Sequence, residues 1–173
     1  DLTYENAREE GGEPVADLRV KHSALSGIDV DPAIAPSMID EFPVLFVAAA
    51  CASGTTRLTG AKELRVKESD RIAVMEAGLH ALGADASATP DGMVISGVGN
   101  GQEAFGAGQV ESHGDHRTAM AFAVASLRAA GPVIIGDTAN VATSFPDFPG
   151  ACAAIGLAVS EDTSATREPY AHQ

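Results

Sequence analysis

Four cations fall within the ten positions Lys62-Glu63-Leu64-Arg65-Val66-Lys67-Glu68-Ser69-Asp70-Arg71, and Arg57 lies just upstream. The whole chain has only 11 Lys+Arg against 24 Asp+Glu, a formal charge of -13. An acidic chain that gathers its scarce cations beside one carboxylate, Glu68, is building a local anion site. The alternative for any isolated charge run is a solvated turn leading into a helix. Lys67 and Arg71 are four residues apart, so a helix that takes in both puts them on one face. An arginine fork suits bidentate capture of carboxylate or phosphate, while a lysine is a compact charge that can also give up a proton.

Elements that must position these groups follow a rhythm. Residues 1–15 are polar and Gly-rich, and Val15–Val20 and Ile28–Val30 read as short strands. A helix is predicted from about Asp40, its candidate N-cap, through Val44–Cys51, with Pro43 tolerated in the first turn and Gly54 after the end. Thr55–Leu58 is the next strand. A second helix runs from about Ser69 to Leu82 and stops at Gly83. Strands at Ala84–Ala88 and Met93–Ser96 and a Gly-rich loop to Gly108 complete the first round.

The second round reads as helix Asp115–Ala129, strand Val133–Ile135, helix Ser144–Ile155 and strand Leu157–Ser160. Gly54 to Gly131 and Gly83 to Gly156 each span roughly 75 residues, which points to an internal repeat. The first helix of each round is apolar or small all round and should be buried on every side. The second is one-sided: Ile72, Met75, Leu79 and Leu82 form one stripe, Phe148, Cys152 and Ile155 the other. Two such units leave a central helix uncovered on one flank, so a further unit is expected. A chain that opens on Asp1 rather than Met is likewise expected to be part of something longer.

Composition narrows the classes. Hydrophobic content of 45% and a mean hydropathy of +0.06 describe an ordered domain. A pI near 4.6 argues against nucleic acid or an anionic membrane as partner. The apolar runs near 44–52 and 119–125 are shorter than a bilayer span, and no signal peptide opens the chain. Cys51 and Cys152 lack metal-ligand spacing and read as buried free thiols, which suits a cytoplasmic location.

Four motifs, in order, carry a resemblance. Met38-Ile39-Asp40-Glu41-Phe42-Pro43, Leu64-Arg65-Val66-Lys67-Glu68-Ser69-Asp70-Arg71, Asp115-His116-Arg117-Thr118-Ala119-Met120 and Ala142-Thr143-Ser144-Phe145-Pro146-Asp147-Phe148 resemble the 5-enolpyruvylshikimate-3-phosphate synthase family, and Gly11–Leu18 is similar too. The resemblance implies an α/β (α+β) fold of repeated βαβαββ units, with buried central helices and sheets around them. Residues 1–160 would be about two units of the C-terminal, phosphoenolpyruvate-side domain, followed by a polar tail at 161–173. The N-terminal domain, with much of the shikimate-3-phosphate site, would be absent.

The implied reaction moves an enolpyruvyl group from phosphoenolpyruvate to the 5-hydroxyl of shikimate-3-phosphate and releases phosphate, with no metal or cofactor. By the same resemblance Asp40 is the candidate base at the attacking hydroxyl, and Glu68 exchanges protons with the methylene carbon. Lys67, Arg71 and Arg117 are phosphoenolpyruvate ligands, Lys67 also a proton donor, and His116 adjoins them. Such chemistry needs an acid, a base and cations around phosphate and carboxylate. Arg65 is expected to support the turn. Thr143 stands where many members have a lysine, so it is left out of the site; Ser144 with Asp147 reads as a capping start. Glu63 receives no role. Two alternatives remain open: the sister transferase acting on UDP-N-acetylglucosamine, and a folding module with no turnover of its own.

Overall fold

The computed structural model describes residues 1–160; the predicted polar tail lies outside the described residues. The chain opens with an antiparallel hairpin, β1 (Leu2–Glu10) and β2 (Glu13–Val20), in which Glu10 pairs with Glu13. The two-residue turn between them is Gly11-Gly12 at φ +62° and +87°. Both values belong to the left-handed region that such a turn demands and that glycine enters without a Cβ clash. The sequence reading missed β1 because the segment alternates charge with small and polar residues rather than apolar with polar. Its cross-strand support is ionic, Arg19–Glu5 at 2.8 Å and Arg8–Asp17 at 3.1 Å.

A 3-10 stretch, Pro32–Glu41, leads into α1 (Phe42–Cys51). Pro43 sits in the first turn as expected, but Asp40 precedes the helix inside the 3-10 stretch and does not cap it. Gly54 lies inside β3 (Ser53–Leu58) rather than at the helix end. Pro32–Cys51 together is 20 residues of mean hydropathy 1.5, long and apolar enough by those measures to cross a membrane. The sequence reading had counted only the 44–52 run. Met38, at φ −129° and ψ 24°, breaks the stretch, and Phe42, Phe46, Val47, Ala49 and Ala50 of its helical half are packed in the core.

The first round then runs β3, a short 3-10 turn Lys62–Val66, α2 (Arg71–Ala81), β4 (Asp85–Thr89) and β5 (Gly92–Val98). These strands form an antiparallel sheet in the order β3-β5-β4. The predicted strand Ile28–Val30 is reduced to parallel bridges Ser26↔Ser53 and Asp29↔Arg57 along β3. The second round has β6 (Gly108–Glu111), α3 (His116–Ala125) and β7 (Val133–Gly136), with β6 parallel to β7. Each round thus carries a strand–helix–strand crossover between parallel segments. β6 was missed because its four residues sit at the end of a Gly-rich loop and pair across a helix.

The predicted helix Ser144–Ile155 is two pieces, α4 (Ala139–Ser144) and α5 (Phe148–Ala154). Pro146 disfavours helix for Phe145 and cannot donate a backbone bond itself. Ser144 ends α4, and Asp147 precedes α5 without a side-chain cap bond. Leu157–Ser160 is not a strand.

α1 packs against α3 and β5, while α2 covers β4 and β6. Ile72, Met75, Leu79 and Leu82 are buried together, as their spacing predicted. α2 and α3 approach closely at Gly78, where an added Cβ would lie 2.1 Å from the Phe122 ring. Cys152 is buried and Cys51 only half-buried; both are free. The mixed helix-and-sheet architecture is the α/β class expected. α1 is not covered on every side: Val44 is 40% exposed, beside exposed Leu25 and Leu127.

Candidate functional site

Three helix beginnings meet at one point, and a buried arginine is their centre. Asp70 caps α2 by accepting from the Ala73 N–H at 3.0 Å, which starts the helix at Arg71 and leaves Lys67 outside it in extended backbone. The shared helical face expected for Lys67 and Arg71 therefore does not form. Asp115 caps α3, its Oδ1 accepting from the Arg117 N–H at 3.0 Å and the Thr118 N–H at 3.3 Å. The 3-10 stretch delivers Asp40 to the start of α1. Arg65 pins the turn before α2 by donating to the Pro90 carbonyl at 2.9 Å and to Asp70 Oδ2 at 2.8 Å.

Arg71 is 1% exposed and binds three carboxylates. Its Nε donates to Asp115 Oδ2 at 2.7 Å, Nη1 to Asp40 Oδ1 at 2.7 Å, and Nη2 to Glu68 Oε2 at 2.6 Å. Ser69 Oγ donates to the same Asp115 oxygen at 3.0 Å. Lys67 Nζ lies 2.7 Å from Glu63 Oε1 and 3.7 Å from Asp40 Oδ1. Arg117 Nη1 donates to the Asp40 carbonyl and to Glu41 Oε1, each at 2.9 Å, and its Nη2 lies 3.9 Å from Asp40 Oδ2.

Protonation follows from these partners. The hydrogen bond from Arg71 holds the Asp40 carboxyl below the ordinary carboxylate range against the opposing pull of partial burial, and the charges of Arg117 and Lys67 add to it. Burial pushes Asp115 up, yet the Arg71 bond and charge, with the Thr118 N–H and Ser69 hydroxyl, bring it out below its usual value. Burial likewise works against the Arg71 charge, and its carboxylate partners more than offset that. Glu63 raises the Lys67 ammonium. At neutral pH Asp40 and Asp115 are therefore carboxylates, and Lys67 and Arg71 are cations.

The structure brings together Asp40, Lys67, Glu68, Arg71 and Arg117. His116 stands beside Arg117 in the first turn of α3 without a hydrogen bond among the described residues. Arg57 lies apart, paired with Asp29 at 3.4 Å on β3. Thr143 is within α4, which is tied to the loop before Asp115 by Asn140 Nδ2 donating to the Gly114 carbonyl at 2.6 Å. Sequence reasoning missed Asp115 and Glu41. An aspartate directly before His116-Arg117-Thr118 is an N-cap pattern that marks the cap; nothing in it marks the bond to Arg71. The expectation of cations gathered beside one carboxylate, Glu68, is also corrected. Three cations here face five carboxylates, Asp40, Glu41, Glu63, Glu68 and Asp115.

Such a lattice can hold two acidic side chains, Asp40 and Glu68, in fixed positions beside an ammonium and a guanidinium that reach solvent. Among the described residues no cluster of metal-ligating side chains is present.

Known proteins are similar to this chain in sequence and fold. The 3-phosphoshikimate 1-carboxyvinyltransferase of Alkalilimnicola ehrlichii is 58% identical over 160 residues, covering 92% of this chain and 35% of that protein. Its counterpart in Sphingopyxis alaskensis is 59% identical over 148 residues, covering 86% and 33%. A solved EPSP synthase from Acinetobacter baumannii superposes with a TM-score of 0.89 at 51% identity, covering 92% of this chain and 37% of its own. The chain thus spans about a third of the length of the relatives it matches. Residues 6–151 match the family described as EPSP synthase (3-phosphoshikimate 1-carboxyvinyltransferase), and the chain belongs to that family.

Proposed function

We propose that this chain supplies the phosphoenolpyruvate-side half of an active site that transfers an enolpyruvyl group to the 5-hydroxyl of shikimate-3-phosphate. The observation that carries the reading is the convergence of Asp40, Glu68, Lys67 and Arg117 around buried Arg71, in a chain 58% identical to a 3-phosphoshikimate 1-carboxyvinyltransferase. Residues 1–160 form about two repeat units of the C-terminal domain. The uncovered flank at Leu25, Val44 and Leu127 fits a further unit, and a second domain brings the shikimate-3-phosphate contacts. A cytoplasmic location fits the two free thiols.

Asp40, kept ionised by Arg71, accepts the proton of the attacking hydroxyl. Glu68, half-exposed, exchanges a proton with the methylene carbon. Lys67 and Arg117 face the phosphate and carboxylate of phosphoenolpyruvate, and Lys67 serves as a proton donor. The resemblance counts Arg71 as a ligand too; in the arrangement described it orients Asp40 and Glu68. His116 is kept as an adjoining contact.

The test uses the protein at its relatives' full length. Phosphate release from phosphoenolpyruvate should require shikimate-3-phosphate, and UDP-N-acetylglucosamine should not substitute. Glu68→Gln should lower turnover about 10²- to 10⁴-fold, the worth of a positioned acid or base, with folding intact. Near-normal turnover in that variant removes Glu68 from the chemistry. The isolated chain, with half the cleft, should release no phosphate.

A further inference from the structure

Every cation that a ligand could reach in this site already has a glutamate on it. Arg71 is buried and closed off by Asp40, Glu68 and Asp115. Lys67 and Arg117 remain, and each is met from the solvent side, by Glu63 Oε1 at 2.7 Å and Glu41 Oε1 at 2.9 Å. The two glutamate side chains are 57% and 61% exposed. Neither has another hydrogen-bonding or ionic partner among the described residues.

That sets them apart from Asp40 and Asp115, which hold several groups at once and cannot leave without unpairing buried charge. An exposed carboxylate with a single partner costs little to displace, because water and salt compete for both ends of the pair. It still competes with any incoming anion for the same ammonium or guanidinium. Glu63 also raises the Lys67 ammonium above its ordinary value, the mark of a direct pairing.

We propose that Glu63 and Glu41 are internal counter-ions which phosphoenolpyruvate displaces from Lys67 and Arg117, and that they set the affinity for this anion without entering the chemistry. The proposal rests on the enolpyruvyl-transfer reading above. It explains why a site meant for an anion is lined by more carboxylates than cations. The two glutamates hold the cations in place while the site is empty and swing out when it fills.

The experiment compares wild type, Glu63→Gln, Glu63→Ala, Glu41→Gln and Asp29→Asn in the full-length protein. Asp29 is the control: it is exposed, pairs with Arg57 at 3.4 Å, and stands outside the cluster. Glu63→Gln and Glu41→Gln should each lower the KM for phosphoenolpyruvate by about two- to fivefold, the reach of an exposed ion pair, with kcat nearly unchanged. Asp29→Asn should leave KM where it was.

A KM that stays or rises in both glutamine variants overturns the proposal. So does an equal drop in Asp29→Asn, which would make the effect one of net charge. A drop confined to Glu63→Ala, where the side chain is shortened as well as discharged, overturns it in favour of steric relief. If wild type shows no shikimate-3-phosphate-dependent release, the enolpyruvyl reading fails by itself. The counter-ion proposal then stands or falls on calorimetric binding of phosphoenolpyruvate, tighter in Glu63→Gln supporting it and equal or weaker overturning it.

Discussion

The two rounds of the fold are written in nearly the same pattern and finished to different degrees. In the first, α2 buries Ile72, Met75 and Leu79 completely, and three strands close behind it. In the second, among the described residues, α4 and α5 bury only Cys152, Ile155 is 73% exposed, and β6 has one partner strand, β7. Spacing is alike in both; volume is not. α2 presents a stripe of large side chains, whereas α5 offers Phe148 and Cys152 among Gly150, Ala151, Ala153 and Ala154. Periodicity decides that a helix forms, and the size of its apolar face decides how much it buries.

The charged cluster sits where the two rounds join, since Arg71 belongs to the first and Asp115 to the second. Arg71→Ala is therefore the most damaging single change expected. It would strand Asp115, which is 0% exposed, as an unpaired buried carboxylate, at a cost of about 3–5 kcal/mol. Urea denaturation of the full-length protein measures it. A loss under about 1 kcal/mol would mean that Asp115 finds water or another donor, and that the junction does not depend on the guanidinium.

Much of this was legible because the signals were local. Gly83 marked the end of α2, and four motifs in order placed Asp40, Lys67, Glu68, Arg71 and Arg117 in one neighbourhood. What escaped was non-local or sub-threshold. β1 gains its partner through a glycine turn and ion pairs, and β6 pairs across a whole helix. Asp115 reads as a cap in one dimension; its second role, holding Arg71 across 44 positions of sequence, exists only once the helices are packed. The number of carboxylates among the cations was misjudged for the same reason. Glu41 arrives beside Arg117 from 76 positions away, and no window along the chain contains both.

The contrast in burial is tested by a matched pair. Met75→Ala removes a fully buried side chain from the first round and should cost about 2–5 kcal/mol. Ile155→Ala alters the exposed face of the second round and should change stability by under about 0.5 kcal/mol. Both are read as shifts in denaturation midpoint at constant slope. An Ile155→Ala loss above about 2 kcal/mol in the full-length protein would show that another segment covers this face, and the second round would then be complete in the longer chain.

Acid should loosen the junction before it disturbs either round. Asp115 and Asp40 both have folded-state values below their ordinary ones, Asp115 despite burial and Asp40 chiefly through the Arg71 hydrogen bond. A carboxyl depressed on folding contributes its full stability above the unfolded value of about 3.9, and loses it as pH falls through the folded value. Wild-type stability should thus be level in these two groups from pH 7 to about 5 and decline below about 4. Asp115→Asn keeps an oxygen for the α3 cap and discards the charge. It should be less stable than wild type at neutral pH and decline less steeply in acid, because one proton-linked group is gone. Asp40→Asn should flatten the curve less, since its exposed carboxylate is screened by solvent, and added salt should shrink its share further. Urea midpoints taken from pH 7 to 2.5 give the slopes. Parallel curves for wild type and Asp115→Asn would assign the acid sensitivity to carboxylates away from the junction, and the ionic link between the rounds would lose its claim to hold them together.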